Sequence, residues 1–215
     1  MTTDLVFKYE AEGHPIELTF DIVKQFISGD ANITLPEFKM FGELCKVRGL
    51  NPFLKEAYLI KYGSQPAQLI VSKDVILRRA DDHPQYNGME DGIIVAKGEN
   101  VEYRDGCCMY QGEMLIGAWA KVHRKDRAYP TFIAVNFNEC ANKRSDGSLN
   151  SMWAGKGAMM CNKVAKVRAL REAFPRDFSG MYDESEYDNT REAEEAPVIV
   201  QDEPTEAETV SFNDL

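Results

Sequence analysis

Residues Met152–Pro175 read MWAGKGAMMCNKVAKVRALREAFP, and the fold turns on this stretch. Met160, Val164, Val167, Leu170 and Phe174 recur in steps of four and three, which stacks them on one side of an α-helix. Pro175 disfavours helical geometry at the residue before it and is expected to stop the element. At about 100° per residue, Ala158, Cys161, Asn162, Ala165, Ala169 and Ala173 fall opposite the large stripe. That second face is small rather than charged, so another backbone can approach it closely. A helix apolar on two sides is predicted to lie sandwiched, with its cations emerging at the seams. Those cations are Lys156, Lys163, Lys166, Arg168 and Arg171, opposed by Glu172 alone. Trp153 reads as exposed, just ahead of Gly155-Lys156-Gly157, where free backbone N–H groups near a helix start favour phosphate.

Outward from this helix the charge is segregated. The chain of 215 residues has a net charge of −10, which argues at first against a polyanionic partner. Residues 183–215, however, hold twelve carboxylates against Arg191 alone, a net −11. Residues 1–182 then carry a net +1, and residues 121–176 hold twelve Lys/Arg against four Asp/Glu, a net +8. The overall balance thus hides a basic patch and an acidic tail. The tail has lost the apolar pattern and carries Pro197 and Pro204, a composition that cannot bury enough surface to fold. Two units follow: a domain over 1–182 and a disordered acidic tail over 183–215.

Ahead of the helix, period 2 and period 3.6 alternate. Leu5–Phe7 and Ile16–Phe20 are predicted to pair as a hairpin around Gly13, and Asp21–Ile27 to form a short helix. Thr34 is a candidate N-cap with Pro36 just inside the next helix, which Gly49 ends. Its apolar face is read as Phe38, Phe41, Leu44, Cys45 and Val47. Two strands, 57–62 and 68–71, joined through Gly63-Ser64-Gln65-Pro66, lead into a helix over 73–80. Short strands follow at 92–97 and 101–104, then stronger ones at 115–124 and 129–137, rich in β-branched and aromatic residues. Residues 142–150, NKRSDGSLN, form a polar loop into the opening helix. The expected class is α+β: a single domain with a small mixed or antiparallel β-sheet packed with helices.

Several chemistries lack their signatures. The start, MTTDLVFKYE, has no secretory pattern, and no apolar run approaches the ~18 residues of a membrane helix, so a soluble cytoplasmic protein is expected. Five cysteines, odd in number and without C-x-x-C spacing, read as reduced thiols, and three histidines make a zinc site improbable. Gly155-Lys156-Gly157 lacks the earlier glycine and the following hydroxyl of a phosphate-binding loop, and no G-x-S-x-G is present. Neither a cofactor nor a catalytic centre is expected. Asp126 and Glu139 leave a metal-dependent nuclease as the alternative from another class. Single-strand binders combine a cationic groove with aromatic platforms, and here Trp119, Tyr129, Phe132, Phe137 and Trp153 interleave with the twelve cations. The candidate nucleic-acid contacts are Arg124, Lys125, Arg127, Lys143, Arg144, Trp153, Lys156, Lys163, Lys166, Arg168 and Arg171.

A collinear set of motifs carries a family resemblance. Gly49–Tyr58, GLNPFLKEAY, resembles the G-L-N-P-[FW]-x-K-E-x-Y segment of the phage recombination protein Bet family. That family is the lambda Red-beta branch of the RecT-like single-strand annealing proteins. Val71-Ser72-Lys73-Asp74 with Tyr86-Asn87-Gly88-Met89 is similar to its V-x-x-D and F-D-G-M pair, and Arg124–Arg127 with Pro130 to its R-K-D-R-x-x-P loop. Glu139-Cys140 matches its E-C. Trp153, Met160, Lys163, Arg171, Ala173 and Phe174 fit its W…M…K…R-x-A-F helix, and Met181-Tyr182-Asp183 its I-Y-D. The resemblance implies ATP-independent annealing of complementary strands in a bacterial host cell, by a homo-oligomer in ring or filament form. It implies that the protein holds single-stranded DNA and then the annealed duplex intermediate, with Lys163 and Arg171 as groove cations. A phage exonuclease or a host single-strand-binding protein is the implied protein partner. A plain single-strand coating protein is the remaining alternative.

Overall fold

The computed structural model describes residues 5–28, 33–61, 66–144 and 146–186. Strands β1 (Val6–Ala11) and β2 (His14–Thr19) pair antiparallel across a two-residue turn at Glu12-Gly13, both at positive φ, which matches the twist of a hairpin. Thr19 caps α1 (Phe20–Ile22), which runs on as a π-helical turn over Val23–Ile27. The next helix, α2 (Leu35–Arg48), starts with a reciprocal capping box. Glu37 N–H donates to Thr34 Oγ1 at 3.4 Å, and Thr34 N–H to Glu37 Oε2 at 2.6 Å. Gly49, at φ 57°, ends the helix in the left-handed conformation that a side chain resists. Phe38, Phe41 and Cys45 are buried as expected, whereas Val47 is 76% exposed. Val47 lies nine residues from Phe38, about 180° around the helix, so it cannot share that face.

Strands β3 (Ala57–Ile60) and β4 (Gln68–Val71) form a second hairpin, and α3 (Lys73–Asp81) follows, capped by Ser72. Residues 63–65 of the joining loop, like Tyr62, lie outside the described residues. The main sheet is antiparallel in the order β6-β5-β7-β8, with β5 Tyr86–Lys97, β6 Asn100–Asp105, β7 Met114–Arg124 and β8 Thr131–Asn136. Strand β5 begins six residues earlier than the sequence suggested. Its polar first half is held by β7, where Glu90 sits opposite Lys121 with their charged atoms 3.1 Å apart. The class is α+β, as read from the sequence.

Along β7, Ala118, Ala120 and Val122 point inward, while Trp119, Lys121 and His123 take the other face, with Phe132 beside Lys121 across the register. Two outward positions are glycine because backbone passes too close for a Cβ. One added at Gly92 would sit 1.8 Å from Arg104 O, and one at Gly117 2.0 Å from Val135 O. After the short α4 (Phe137–Cys140), the long α5 (Ser151–Ala173) crosses β5, β7 and β8 and touches α3 on another side. Pro175 does not simply stop the chain. It opens a further turn, α6 (Pro175–Phe178), after Phe174 leaves helical geometry at φ −129°. Among the described residues no helix is long and apolar enough to cross a membrane.

Candidate nucleic-acid interface

The site is built on α5. Asn150 caps it, its side chain accepting from Trp153 N–H at 3.0 Å, while Asn150 N–H donates to Asn142 O and closes the 142–150 loop. Lys156 leaves helical geometry (φ −136°, ψ 34°) between Gly155 and Gly157, so the helix kinks there. A Cβ on Gly157 would meet the Phe137 ring at 2.8 Å, so the second glycine lets α4 close in. Beyond the kink both predicted faces are buried: Val164, Val167, Leu170 and Phe174 on one, Cys161, Asn162, Ala165, Ala169 and Ala173 on the other. The small face meets the sheet. Asn162 donates to Gly92 O at 3.2 Å and to Asp91 Oδ1 at 3.0 Å.

The cations do emerge at the seams, but most meet a carboxylate there. Lys163 Nζ lies 2.7 Å from Asp183 Oδ1, and Lys166 Nζ 2.8 Å from Asp91 Oδ1. Arg171 forks onto both oxygens of Glu186, donates to Met181 O at 3.1 Å, and stacks over the Tyr182 ring. Burial alone would lower the Arg171 guanidinium pKa, yet its bonds to Glu186 hold it above the ordinary value. Arg168 approaches Glu186 at 3.7 Å. Arg124 grips Asp126 through two bonds, 2.8 and 2.6 Å, donates to Ala173 O, and lies over Phe174.

Asp183 and Glu186 lie in the stretch assigned to the acidic tail. Glu184–Glu186 instead forms a 3₁₀ turn, with Asp183 and Ser185 buried, so the ordered chain passes Tyr182 and closes on α5. Residues 187–215 of that tail lie outside the described residues.

The remaining candidates divide clearly. Lys125, Arg127, Lys143, Arg144 and Lys156 are exposed, and among the described residues no carboxylate is paired to them. Lys125 does donate to Pro84 O at 3.1 Å. They bracket α5. The 124–127 loop is tied to its C-terminal end through Arg124 and Ala173 O, and the 142–150 loop to its start. At 1.5 Å per residue, Lys156 and Ala173 are roughly 26 Å apart along the axis.

Trp153 is not exposed: it keeps 1% of its surface and packs on Phe137 with ring centroids 5.9 Å apart. It lies seven residues before Met160 and eleven before Val164, which returns it to the large stripe, a periodicity that would have found it. Of the other aromatics, Trp119 is buried, Phe137 half-buried, and Tyr129 and Phe132 exposed.

Sequence reasoning missed Asp91 and Glu186, and met Asp183 only as the end of the I-Y-D-like Met181-Tyr182-Asp183, not as the partner of Lys163. A signal for Glu186 was that Met181 and Tyr182 carry the packed chain to its doorstep. Among the described residues, no three of His, Cys, Asp and Glu gather as a metal cage.

A small antiparallel sheet covered by one long helix, with cationic loops at both ends, defines an α+β scaffold with a basic rim. The RecT family model matches residues 15–200, and the chain belongs to that family of single-strand annealing proteins of phage recombination. No curated protein sequence matches it.

Proposed function

We propose that the chain binds single-stranded DNA and anneals complementary strands without ATP. It does so as a member of the lambda Red-beta branch, acting as a ring-shaped or filamentous homo-oligomer in the cytoplasm of a bacterial host. The observation that carries this reading is the family match over residues 15–200. The basic rim supports it, since net +8 over residues 121–176 is the electrostatic footprint of a polyanion site.

In this reading the first phosphate contacts are Lys125, Arg127, Lys143, Arg144 and Lys156, the cations that no carboxylate among the described residues pairs. Lys163, Lys166, Arg168, Arg171 and Arg124 form a second rank, held in place by Asp183, Asp91, Glu186 and Asp126. Trp153 supports the rim from below by packing α5 on α4, while Tyr129 and Phe132 are the aromatic surfaces open to bases. Phosphates are held and base edges are left to pair, so sequence specificity comes from the partner strand and no bond is made or broken by the protein. The acidic residues after Glu186 are the segment for a host single-strand-binding protein, and a phage exonuclease is the other candidate partner.

Labelled complementary strands mixed with the protein, without ATP and with or without magnesium, test this. Faster duplex formation is expected. Shortened strands support a nuclease instead, and slowed pairing a plain coating protein. With four to six phosphates held, log K falls against log salt with a slope of about −3 to −4.

A further inference from the structure

Helices α4 and α5 bring two thiols face to face. Cys140 Sγ lies 3.5 Å from Cys161 Sγ, although the residues are 21 apart in sequence. Cys161 is fully buried on the small face of α5. Cys140 is half-buried and lines a polar cleft of about 160 Å³ with Glu139, Lys143, Arg168 and Glu186, whereas Cys161 does not line it. The pair is chemically unequal. A hydrogen bond from Cys161 lowers the Cys140 pKa against the opposing effect of burial, and the Arg168 charge lowers it further. The same contact, followed by burial, pushes Cys161 up. A half-buried thiol held 3.5 Å from a fully buried one is the arrangement of an attacking and a resolving thiol. Cys45 offers no such reaction, being buried and pushed up to about 12.

We propose that Cys140 and Cys161 form a peroxide-responsive dithiol, closing to a disulfide that ties α4 to α5. The Cys140 thiolate attacks one oxygen of hydrogen peroxide and the O–O bond breaks. The departing hydroxide takes a proton and leaves as water, with Cys140 now a sulfenic acid. Cys161 sulfur then attacks Cys140 Sγ, and its S–H proton passes to the displaced hydroxyl, giving a second water. Two thiols lose two electrons and one peroxide gains them. The new bond fixes the root of the 142–150 loop, which carries Lys143 and Arg144, to the helix it leads into.

The test uses the full chain, reduced, then exposed to hydrogen peroxide in steps up to one equivalent, alkylated and mapped by peptide mass. Joined Cys140–Cys161 peptides are expected to rise with peroxide and to vanish with dithiothreitol. In Cys161→Ala, Cys140 is expected to persist as a sulfenic acid trapped by dimedone. If that variant fails to fold, Cys140→Ser replaces it, with Cys161 expected to stay reduced. A wild-type map with Cys140 and Cys161 both reduced, or with Cys140 overoxidised and Cys161 unlinked, overturns the proposal.

Discussion

Lys163→Ala is expected to be a folding variant as much as a DNA-binding one. Its ammonium lies 2.7 Å from Asp183 Oδ1, and the Asp183 side chain keeps only 2% of its surface. Breaking a buried pair by removing one partner costs about 3–5 kcal/mol, because the other charge is left without compensation. Asp183 retains bonds from Ser185 N–H at 2.9 Å and Ser185 Oγ–H at 2.7 Å, and the Lys163 side chain is 28% exposed, which favours the lower end. At about 3 kcal/mol, and about 2–4 °C per kcal/mol for a domain of this size, the melting temperature falls by about 6–12 °C. Replacing both partners, Lys163→Met with Asp183→Asn, removes the orphaned charge and is expected to recover most of that loss. Thermal unfolding followed by circular dichroism measures all three proteins. A Lys163→Ala melt within about 2 °C of wild type, or a double variant no better than the single, refutes the reasoning. In the recovered double variant a salt slope shallower by about 0.7 marks a lost phosphate contact. The same geometry predicts that Lys163→Ala with Arg171→Ala, the natural pair for testing the groove, destabilises the fold, since Glu186 is buried beneath Arg171.

Lys143→Ala with Arg144→Ala removes two exposed cations that pair with no carboxylate among the described residues, so the single-strand salt slope is expected to flatten by about 1.4 with stability within about 0.5 kcal/mol of wild type. Gly92→Ala is expected to cost about 3 kcal/mol in urea unfolding, because the new methyl meets the Arg104 carbonyl and the Trp119 indole; Gly155→Ala, whose Cβ meets nothing, is expected to be neutral or mildly stabilising. Burial alone would raise the Glu37 carboxyl, but bonds from Ala67 N–H, Thr34 N–H and Lys61 hold it down at about 2. A depressed carboxylate pKa contributes stability above the unfolded value of 4.5 and loses it as pH falls toward 2, so wild type is expected to weaken across that window more than Glu37→Gln in a pH series of melts.

What was legible follows from the range of the forces. The two-faced character of α5 is written in steps of three and four, and the N-cap at Thr34 in its residue type and the nearby Pro36, so both are local and both are found, although the return bond from Glu37 was not read. Val47 and Trp153 were misread although the same angular count places them correctly. Their residue types, a valine beside a buried face and a tryptophan beside a lysine, pulled against their positions. The start of β5 was hidden because Asn87, Gly88, Glu90 and Asp91 have poor strand propensity alone; β7 pairs Tyr86 and Met89 to Asp91, with Asn87-Gly88 in an irregularity between them. The acidic partners of the α5 cations were illegible for a stronger reason. Asp91 reaches Lys166 across 75 residues, and only the finished sheet puts it there. Composition revealed that the patch was basic, but not that half of its charges were already answered from within.

The position of α5 in the chain also sets a schedule for synthesis. Strands β5 to β8 pair with near neighbours, so the sheet can form once Asn136 has been made, yet the helix that covers Ala118, Ala120 and Val122 is complete only at Ala173. At about 5–20 residues per second, those roughly 37 residues take about 2–8 s, during which the apolar face of the nascent sheet waits uncovered. A growing chain in that interval is a natural client for a holding chaperone, and slow codons between 137 and 173 would lengthen its exposure.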